Sequence, residues 1–499
     1  MTTSKSQQVR NTTLYLLPVV LGNLVPLVTL PVFTRLLTTE DFGAWALANA
    51  YSVVIGGLAT VGLPITYDRN FFEYRDGRQR SQLLYSVVAF SAASFAAFLV
   101  LTWVLRAPIT GWLIGDLSYQ RVLVWSLGAV AVANLKNFYL AFLRNSEQAA
   151  AFSMYTIGER LLSAGLTLAF VAWLRIGVVG LVVGQLLATL IVLIIMAARL
   201  LRTLPPAVDG RLLGDSLKLG LPLMPRVLFG VIGNNVDKYL IGQVASLGGV
   251  GIYSIGQRVA AIGFTYMTAL QNVFGPQVYS RMFAGGATAG ASIGRYLTPF
   301  AYASTVIVFL IAVFSEEILT VLAPAAYHGA IPIITILSLY YGIQFFAKMP
   351  QITYARKTHL LSVLSALSSA LHIACGAAGI WLLGTVGAAW GVLTAGLILA
   401  MITFVVAQRC FRIEWESGPM TAIFGLLFAS ALVTIALRGL GVPYPTLLVV
   451  KLLAVTAFLW LGTRLHVLTA GNLALVRDLA LRRGGPRDAI REARHGQNP

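Results

Sequence analysis

The chain has 499 residues, of which 58% are hydrophobic and only 11% are charged, whereas an ordinary soluble domain carries about 25% charged residues. Together with a mean hydropathy of +0.80, this composition excludes a soluble protein with one buried core and predicts a polytopic membrane protein. The two cysteines lie in or beside apolar segments and the five histidines show no metal-ligand spacing, so neither a disulfide framework nor a metal or other cofactor is expected.

Apolar segments of about 20 residues, the length of helix that crosses a bilayer, recur along almost the whole chain. The connections between them are too short to hold a soluble catalytic domain. The sequence therefore predicts an all-α polytopic membrane protein with about 14 transmembrane helices. They fall at roughly residues 12–33, 42–66, 83–104, 122–143, 149–173, 176–198, 216–240, 248–276, 297–315, 330–347, 360–381, 385–407, 419–437 and 443–463.

Prolines are concentrated in the first and seventh of these segments, which contain Pro18, Pro26, Pro31, Pro222 and Pro225. Proline removes a backbone hydrogen bond and bends a helix, so both helices are predicted to be bent. Bends at corresponding places suit helices that flex during transport, although proline is also better tolerated in membrane helices than in soluble ones.

The 36 lysines and arginines are distributed unequally between the two sides of the predicted membrane domain. If the N-terminus is cytoplasmic, the cytoplasmic segments hold 25 of them and the outer segments hold five, namely Arg35, Arg106, Arg121, Arg175 and Arg438. Because basic residues favour the cytoplasmic side, both termini are predicted to be cytoplasmic. The net charge of +18 thus reflects topology and contact with anionic lipid, and nucleic-acid binding is not expected.

Charged residues also occur inside the apolar segments, where an ionised group near the bilayer centre costs about 2.5–3.5 kcal/mol. They are Lys136, Glu159, Arg160, Arg226, Asp237, Lys238, Arg258 and Lys451. At about 1.5 Å of rise per residue, Arg160 and Arg258 lie near the middle of the membrane. A water-filled cavity that receives an anionic substrate would explain these charges. Snorkelling to the interface or pairing with an acid is the ordinary alternative.

Three stretches of the sequence resemble a known family. They are LPVFTRLLTTEDFGAWALANAYSVVIGGLATVGL from Leu30, LPLMPRVLFGVIGNNVDKYLIG from Leu221, and GVGIYSIGQRVA from Gly249. With the basic loop that follows the first, they are similar to the polysaccharide flippases (lipid-linked oligosaccharide or O-antigen type) of the multidrug/oligosaccharidyl-lipid/polysaccharide exporter superfamily.

The resemblance implies two six-helix lobes around a central cavity that opens alternately to the two sides of the membrane. The N-terminal lobe would comprise residues 1–205 and the C-terminal lobe residues 206–408. Residues 409–465 would add two transmembrane helices, and residues 466–499 a basic cytoplasmic tail.

The resemblance further implies a transporter and not an enzyme. Its substrate would be a polyprenyl-pyrophosphate-linked oligosaccharide repeat unit, moved across the bacterial inner membrane by alternating access for exopolysaccharide or O-antigen synthesis. Association with the membrane lipid and with polysaccharide polymerase and export machinery is also implied.

Arginine and lysine bind phosphate oxygens, and amide side chains bind sugar hydroxyls. The residues expected to bind the substrate are Arg226, Arg258, Arg160, Lys136, Asn234 and Asn235. Those expected to act in coupling or gating are Glu159, Asp237, Lys238 and Arg35. For the two acids, a role as structural counter-ion is an equal alternative.

Two other functions are open. A multidrug exporter of the same superfamily predicts an acid-dominated cavity, whereas six basic residues and two acidic ones lie within the apolar segments here. A polytopic glycosyltransferase or polysaccharide polymerase predicts a long extramembrane loop, which the sequence lacks. The sequence has no ATP-binding phosphate loop either, so an ion gradient or consumption of the product would drive transport.

Overall fold

The computed structural model describes residues 22, 25–74, 76–233, 235–285, 289–347, 350–355 and 357–465. These residues form helices joined by short turns, and no strand occurs among them. The α-helices, labelled in chain order, are α1 (Val25–Leu36), α2 (Thr39–Thr60), α3 (Leu63–Glu73), α4 (Gly77–Val104), α5 (Arg106–Leu113), α6 (Gln120–Asn145), α7 (Ala149–Leu168), α8 (Val178–Thr203), α9 (Gly210–Gly220), α10 (Met224–Gly233), α11 (Val236–Val244), α12 (Leu247–Gly285), α13 (Gly290–Val313), α14 (Ser315–Leu322), α15 (Ala330–Ala347), α16 (Gln351–Tyr354), α17 (Thr358–Cys410), α18 (Ser417–Gly439) and α19 (Tyr444–Arg464).

Apolar helices of membrane-spanning length dominate the described residues. Nine of the helices described there are long and apolar enough to cross a membrane, and the bent pair Gly210–Leu223 and Val227–Gly233 makes a tenth. One of the nine, α17, contains two predicted spans, which meet at a kink where Gly384 has φ 61° and ψ −141°. Only glycine adopts such a backbone readily. The prediction of an all-α polytopic membrane protein is confirmed.

The seventh predicted helix, residues 216–240, is not continuous. Its sequence is divided among α9, α10 and α11, and the segments Gly210–Leu223 and Val227–Gly233 are bent by 49° across a break that contains Pro225. Proline cannot donate the hydrogen bond that continues a helix, so the predicted bend is confirmed, whereas the single helix is wrong. The segment α9 packs on the preceding helices through Gly220, where a Cβ would lie 2.5 Å from the Val61 carbonyl oxygen.

The second predicted helix, residues 42–66, is also shorter than expected. Its helix α2 ends at Thr60, because Val61 and Gly62 both adopt left-handed backbone, with φ of 48° and 70°. The chain then turns into the separate helix α3. Apolar composition continues through this turn, so hydropathy alone does not show the break.

The helices pack as two groups that meet along α2 and α12. In the first group, α6 contacts α2, α4 and α8, and α7 contacts α8. In the second group, α12 contacts α13 and α15, and α17 contacts α10, α11 and α15. The helices α18 and α19 contact each other and α13. Because lipid is as apolar as the side chains, this association depends on close packing, and a buried apolar cluster that includes Phe42, Leu47, Tyr253 and Val259 runs through the α2–α12 contact.

The predicted segments at the two ends of the bundle differ in their number of lysines and arginines. The end with the predicted outer segments has only five, and we call it the arginine-poor end; they are Arg35, Arg106, Arg121, Arg175 and Arg438. We call the opposite end the arginine-rich end. The names describe composition only.

Candidate functional site

At the arginine-poor end, the two groups of helices are in direct backbone contact. The start of α2 crosses the start of α12, and we call this contact the α2–α12 crossing. A methyl group at Gly43 would overlap the carbonyl group of Leu247, and one at Gly251 would overlap that of Thr39. Small residues allow membrane helices to approach this closely, so glycine at both positions permits the crossing.

Hydrogen bonds between the two groups add to this closure. The bonds between side-chain donors and carbonyl acceptors are Thr34 to Leu322 at 2.8 Å, Tyr327 to Leu37 at 2.7 Å and Gln243 to Trp112 at 2.7 Å. The rings of Trp112 and Tyr239 also lie 5.1 Å apart. The arginine-poor end is therefore closed in this conformation.

A cavity of about 370 Å³, which we call the central cavity, lies between α1, α2, α7, α8 and α12. Both groups of helices contribute to it, since α12 belongs to the second group and the others lie in the first half of the chain. Apolar side chains form much of its lining. The polar and aromatic lining residues include Trp45, Arg160, Ser163, Thr167, Gln185 and Arg258.

The two arginines of the central cavity, Arg160 on α7 and Arg258 on α12, are exposed to it although they belong to apolar helices. Neither forms an ion pair or hydrogen bond with another residue in the described part of the chain. The guanidinium carbon of Arg258 lies 4.1 Å from the ring centroid of Trp45, which is a cation–π contact. The structure thus brings two of the predicted substrate-binding residues to one cavity.

Lys136 and Glu159, two further predicted site residues, are buried against each other. The Lys136 Nζ atom lies 2.5 Å from Glu159 Oε2, and the Thr189 hydroxyl donates a hydrogen bond of 2.9 Å to Glu159 Oε1. Their side chains are only 8% and 12% exposed, and neither residue lines the central cavity. This ion pair joins α6 to α7 inside the first group.

A second cavity, of about 400 Å³, lies within the second group between α11, α12, α15 and α17. Its polar lining residues include Asp237, Gln257, Tyr340, Gln344 and His372. Gln257 of α12 lines this second cavity, whereas the next residue, Arg258, lines the central cavity. The helix α12 therefore lies between the two cavities. Asp237 is the one carboxylate among the described lining residues, and no group of three or more His, Cys, Asp or Glu within the described ranges could hold a metal ion.

Lys238 and Asn235 form a hydrogen bond with each other near the start of α11. The Lys238 Nζ donates to Asn235 Oδ1 at 3.4 Å, and Asn235 Nδ2 donates to the Val231 carbonyl at 2.9 Å. Neither residue lines the central cavity. The structure therefore places these predicted residues apart from the two cavity arginines.

Three predicted site residues remain, namely Arg35, Arg226 and Asn234. Arg35 is exposed at the end of α1, where its Nη1 donates to the Pro31 carbonyl at 2.8 Å. Asn234 and the side chain of Arg226 lie outside the described residues.

The uncharged residues of both cavities are not among the predicted site residues. Ser163 and Thr167 follow Arg160 at i+3 and i+7, so they share its face of α7, and this spacing is the signal that could have found them. Trp45 lies within the stretch that carries the family resemblance but has no charge to mark it. His372 also lines the second cavity.

The sequence model of the family described as polysaccharide biosynthesis protein matches residues 8–276. No protein with a curated description matches the sequence. Among solved structures, the lipid II flippase MurJ in an inward closed conformation has 13% identity and a TM-score of 0.68, over 91% of this chain and 98% of that one.

Two transporters with solved structures are also similar. An inward-facing multidrug resistance MATE family transporter of the MOP superfamily has 16% identity and a TM-score of 0.59, over 77% of this chain and 94% of that one. The Vibrio cholerae MATE transporter VcmN has 16% identity and a TM-score of 0.53, over 82% of this chain and 97% of that one. At this level of identity the likeness shows the fold, which is that of flippases and transporters. The family match covers more than half of the chain and confirms the resemblance predicted from the sequence, so the chain belongs to the polysaccharide biosynthesis protein family.

Proposed function

We propose that this protein is a flippase that moves a polyprenyl-pyrophosphate-linked oligosaccharide across a bacterial inner membrane. The observation that carries this proposal is the pair Arg160 and Arg258, which reach one cavity from the two groups of helices without an acidic partner in the described part of the chain. Because charge is costly inside a membrane, two such cations call for an anion that arrives from outside. The family's description as a polysaccharide biosynthesis protein favours an anion that carries sugar.

The lining of the central cavity suits a pyrophosphate next to a sugar. A guanidinium group stays charged and donates two parallel hydrogen bonds to phosphate oxygens. Ser163, Thr167 and Gln185 offer hydroxyl and amide groups to sugar hydroxyls. The cavity volume of about 370 Å³ is within the range of roughly 300–1,000 Å³ that small-ligand sites occupy. The polyprenyl tail would remain in the bilayer.

The arrangement of the two arginines suits alternating access. In the predicted orientation the closed arginine-poor end is periplasmic and both termini are cytoplasmic, so the central cavity would load from the cytoplasmic leaflet. Residues 1–205 and 206–408 would then move as two lobes that separate at the α2–α12 crossing. Because Arg160 and Arg258 belong to different lobes, this movement would pull them apart and weaken their hold on the pyrophosphate.

Asp237 is the carboxylate that we assign to ion coupling. It lines the second cavity, which α12 separates from the central cavity. A proton or cation bound there would change the charge beside the helix that carries Arg258. Glu159 is a counter-ion instead, because Lys136 already neutralises it at 2.5 Å.

A flipping assay in proteoliposomes tests the proposal. A fluorescent polyprenyl-pyrophosphate oligosaccharide is added, and the fraction of sugar accessible to a membrane-impermeant reagent is followed with time. Arg160→Ala and Arg258→Ala should each slow translocation, whereas Arg175→Ala, an exposed arginine outside both cavities, should not. Wild-type rates in both cavity variants at normal protein levels would contradict the proposal.

A cation exporter is the second candidate, because MATE transporters share the fold and Asp237 lines the second cavity. A disrupted strain separates the functions. Complete lipid-linked repeats on the cytoplasmic leaflet indicate a flippase, and incomplete repeats indicate a glycosyltransferase. Normal repeats with increased sensitivity to cationic dyes indicate an exporter.

A further inference from the structure

A groove of about 600 Å³ lies at the arginine-poor end of the first group, apart from both cavities described above. It forms where α4 ends, where the turn Leu117–Tyr119 follows α5, and where α6 begins. We call it the Trp–Arg groove. Its polar and aromatic lining residues are Trp103, Arg106, Ser118, Gln120, Arg121 and Trp125.

The exposed side chains of the Trp–Arg groove suit the boundary between acyl chains and headgroups. Trp103 and Trp125 are 58% and 45% exposed, and Val100 and Val104 near the end of α4 are exposed as well. Exposed apolar side chains on a membrane-spanning helix face lipid, and tryptophan is enriched at headgroup level. Lipid can therefore enter the groove from the side.

The groove contains two arginines at the arginine-poor end, where basic residues are few. Arg106 and Arg121 are two of the five basic residues in the predicted outer segments. Neither forms an ion pair with a described residue. Asp116, the one carboxylate in residues 103–125, caps the turn by accepting the Ser118 N–H at 2.8 Å.

Arg106 is held in a fixed position at the wall of the groove. Its Nη1 donates to the Trp103 carbonyl at 2.8 Å, and its guanidinium carbon lies 4.9 Å from the centroid of the same indole ring. This anchoring leaves its other N–H groups available. Arg121, which also lines the groove, is exposed at the start of α6.

From this combination we propose that the Trp–Arg groove binds the phosphate of an anionic phospholipid, such as phosphatidylglycerol, from the adjacent leaflet. The two guanidinium groups match phosphate oxygens in geometry and charge. Ser118 and Gln120 can bond to glycerol hydroxyls, and the indole rings flank the first carbons of the acyl chains. A zwitterionic headgroup fits less well, because its ammonium group would approach the same arginines.

The wall of the groove continues into the contacts that close the arginine-poor end. Trp112 accepts the hydrogen bond from Gln243, and the Tyr119 hydroxyl donates at 3.2 Å to Asp41, the residue of the capping box that begins α2. A lipid that orders residues 106–121 therefore also stabilises these contacts. Occupancy of the groove favours the closed conformation.

Native mass spectrometry of the delipidated full-length protein tests this site. The protein is titrated with phosphatidylglycerol or with phosphatidylcholine of the same acyl chains. Wild type should retain phosphatidylglycerol preferentially, and Arg106→Gln/Arg121→Gln should weaken its retention about tenfold, because glutamine keeps an N–H donor and water screens charges in an exposed groove. Arg175→Gln is the matched control, because it lies near the exposed Trp173 at the same end but lines none of the grooves or cavities described.

Three results would overturn the proposal. The first is equal retention of both lipids by wild type, a comparison that does not depend on the folding of any variant. The second is a loss of retention in Arg175→Gln as large as in the double substitution, which would make the effect one of general surface charge. A polyprenyl pyrophosphate that displaces phosphatidylglycerol at a far lower concentration would assign the groove to the translocated substrate instead.

Discussion

Four of the cations inside this membrane protein fall into two kinds. Lys136 and Lys451 are buried, and their Nζ atoms lie 2.5 Å from Glu159 and 2.7 Å from Glu317. Arg160 and Arg258 are accessible from the central cavity and have no acidic partner among the described residues. A charge within an apolar segment therefore has two explanations, and the presence or absence of a partner on another helix distinguishes them.

The difference follows from the chemistry of the two side chains. An ammonium group is a compact, strongly hydrated charge, so burying it requires a carboxylate at close range. A guanidinium group is delocalised and more weakly hydrated, and it can rest on an aromatic ring, as Arg258 does on Trp45 at 4.1 Å. We expect the paired lysines to support the structure and the two arginines to bind the ligand.

Loss of both cavity arginines should have the largest effect on substrate binding. A hydrogen bond to a charged group contributes about 1.5–3 kcal/mol, so Arg160→Ala/Arg258→Ala should weaken substrate binding by roughly 100-fold or more. Binding of a labelled polyprenyl pyrophosphate to purified protein measures this change.

The matched variant is Arg160→Lys/Arg258→Lys, which keeps the charge and removes the two-pronged donor geometry. It should give an intermediate affinity. Equal affinities for wild type and the alanine double variant would remove the distinction between the two kinds of cation.

Breaking the ion pair between Lys136 and Glu159 should mainly affect folding. Lys136→Met or Glu159→Gln leaves an uncompensated buried group and should destabilise the protein by about 3–5 kcal/mol, whereas the double variant should be closer to wild type. Thermal unfolding in detergent and the yield of folded protein measure the effect. A double variant that is stable but inactive would move Lys136 from the supporting role to the binding site.

Lys451→Met should produce a smaller loss of stability. Its partner Glu317 is 26% exposed, so solvent can partly compensate that carboxylate, and the expected loss is about 1–3 kcal/mol. Translocation per folded molecule should stay unchanged, as measured in proteoliposomes. An inactive variant at normal protein levels would show that the two added helices take part in transport.

The smallest effect is expected at Trp45. Trp45→Leu removes a cation–π contact of about 0.5–2 kcal/mol, so substrate binding should fall roughly two- to thirtyfold. Trp45→Phe keeps an aromatic face beneath Arg258 and should retain most of the affinity. If the two variants bind equally weakly, the ring acts by size and not by its interaction with the guanidinium group.

Charge in an apolar segment is a strong signal, and it made Arg160 and Arg258 predictable before the fold was known. The partner of Glu159 was not predictable, because Lys136 lies 23 residues away on another helix and pairing is a property of packing. Likewise Pro222 and Pro225 predicted a bend in the seventh helix, whereas its division into three segments depends on contacts with neighbouring helices. Gln185 and His372 carry no signal of their own, since such residues also occur in ordinary packed interiors.

At the α2–α12 crossing the two backbones are so close that one added methyl group would act as a wedge between them. Alanine at Gly43 or Gly251 would hold the two backbones apart, whereas alanine at Gly425, where no atom lies within 4 Å of the added carbon, would not. Such a wedge acts on the closed state alone, because the overlap disappears once the helices separate. This one added carbon would thus favour, for structure determination, the conformation in which the α2–α12 crossing is open.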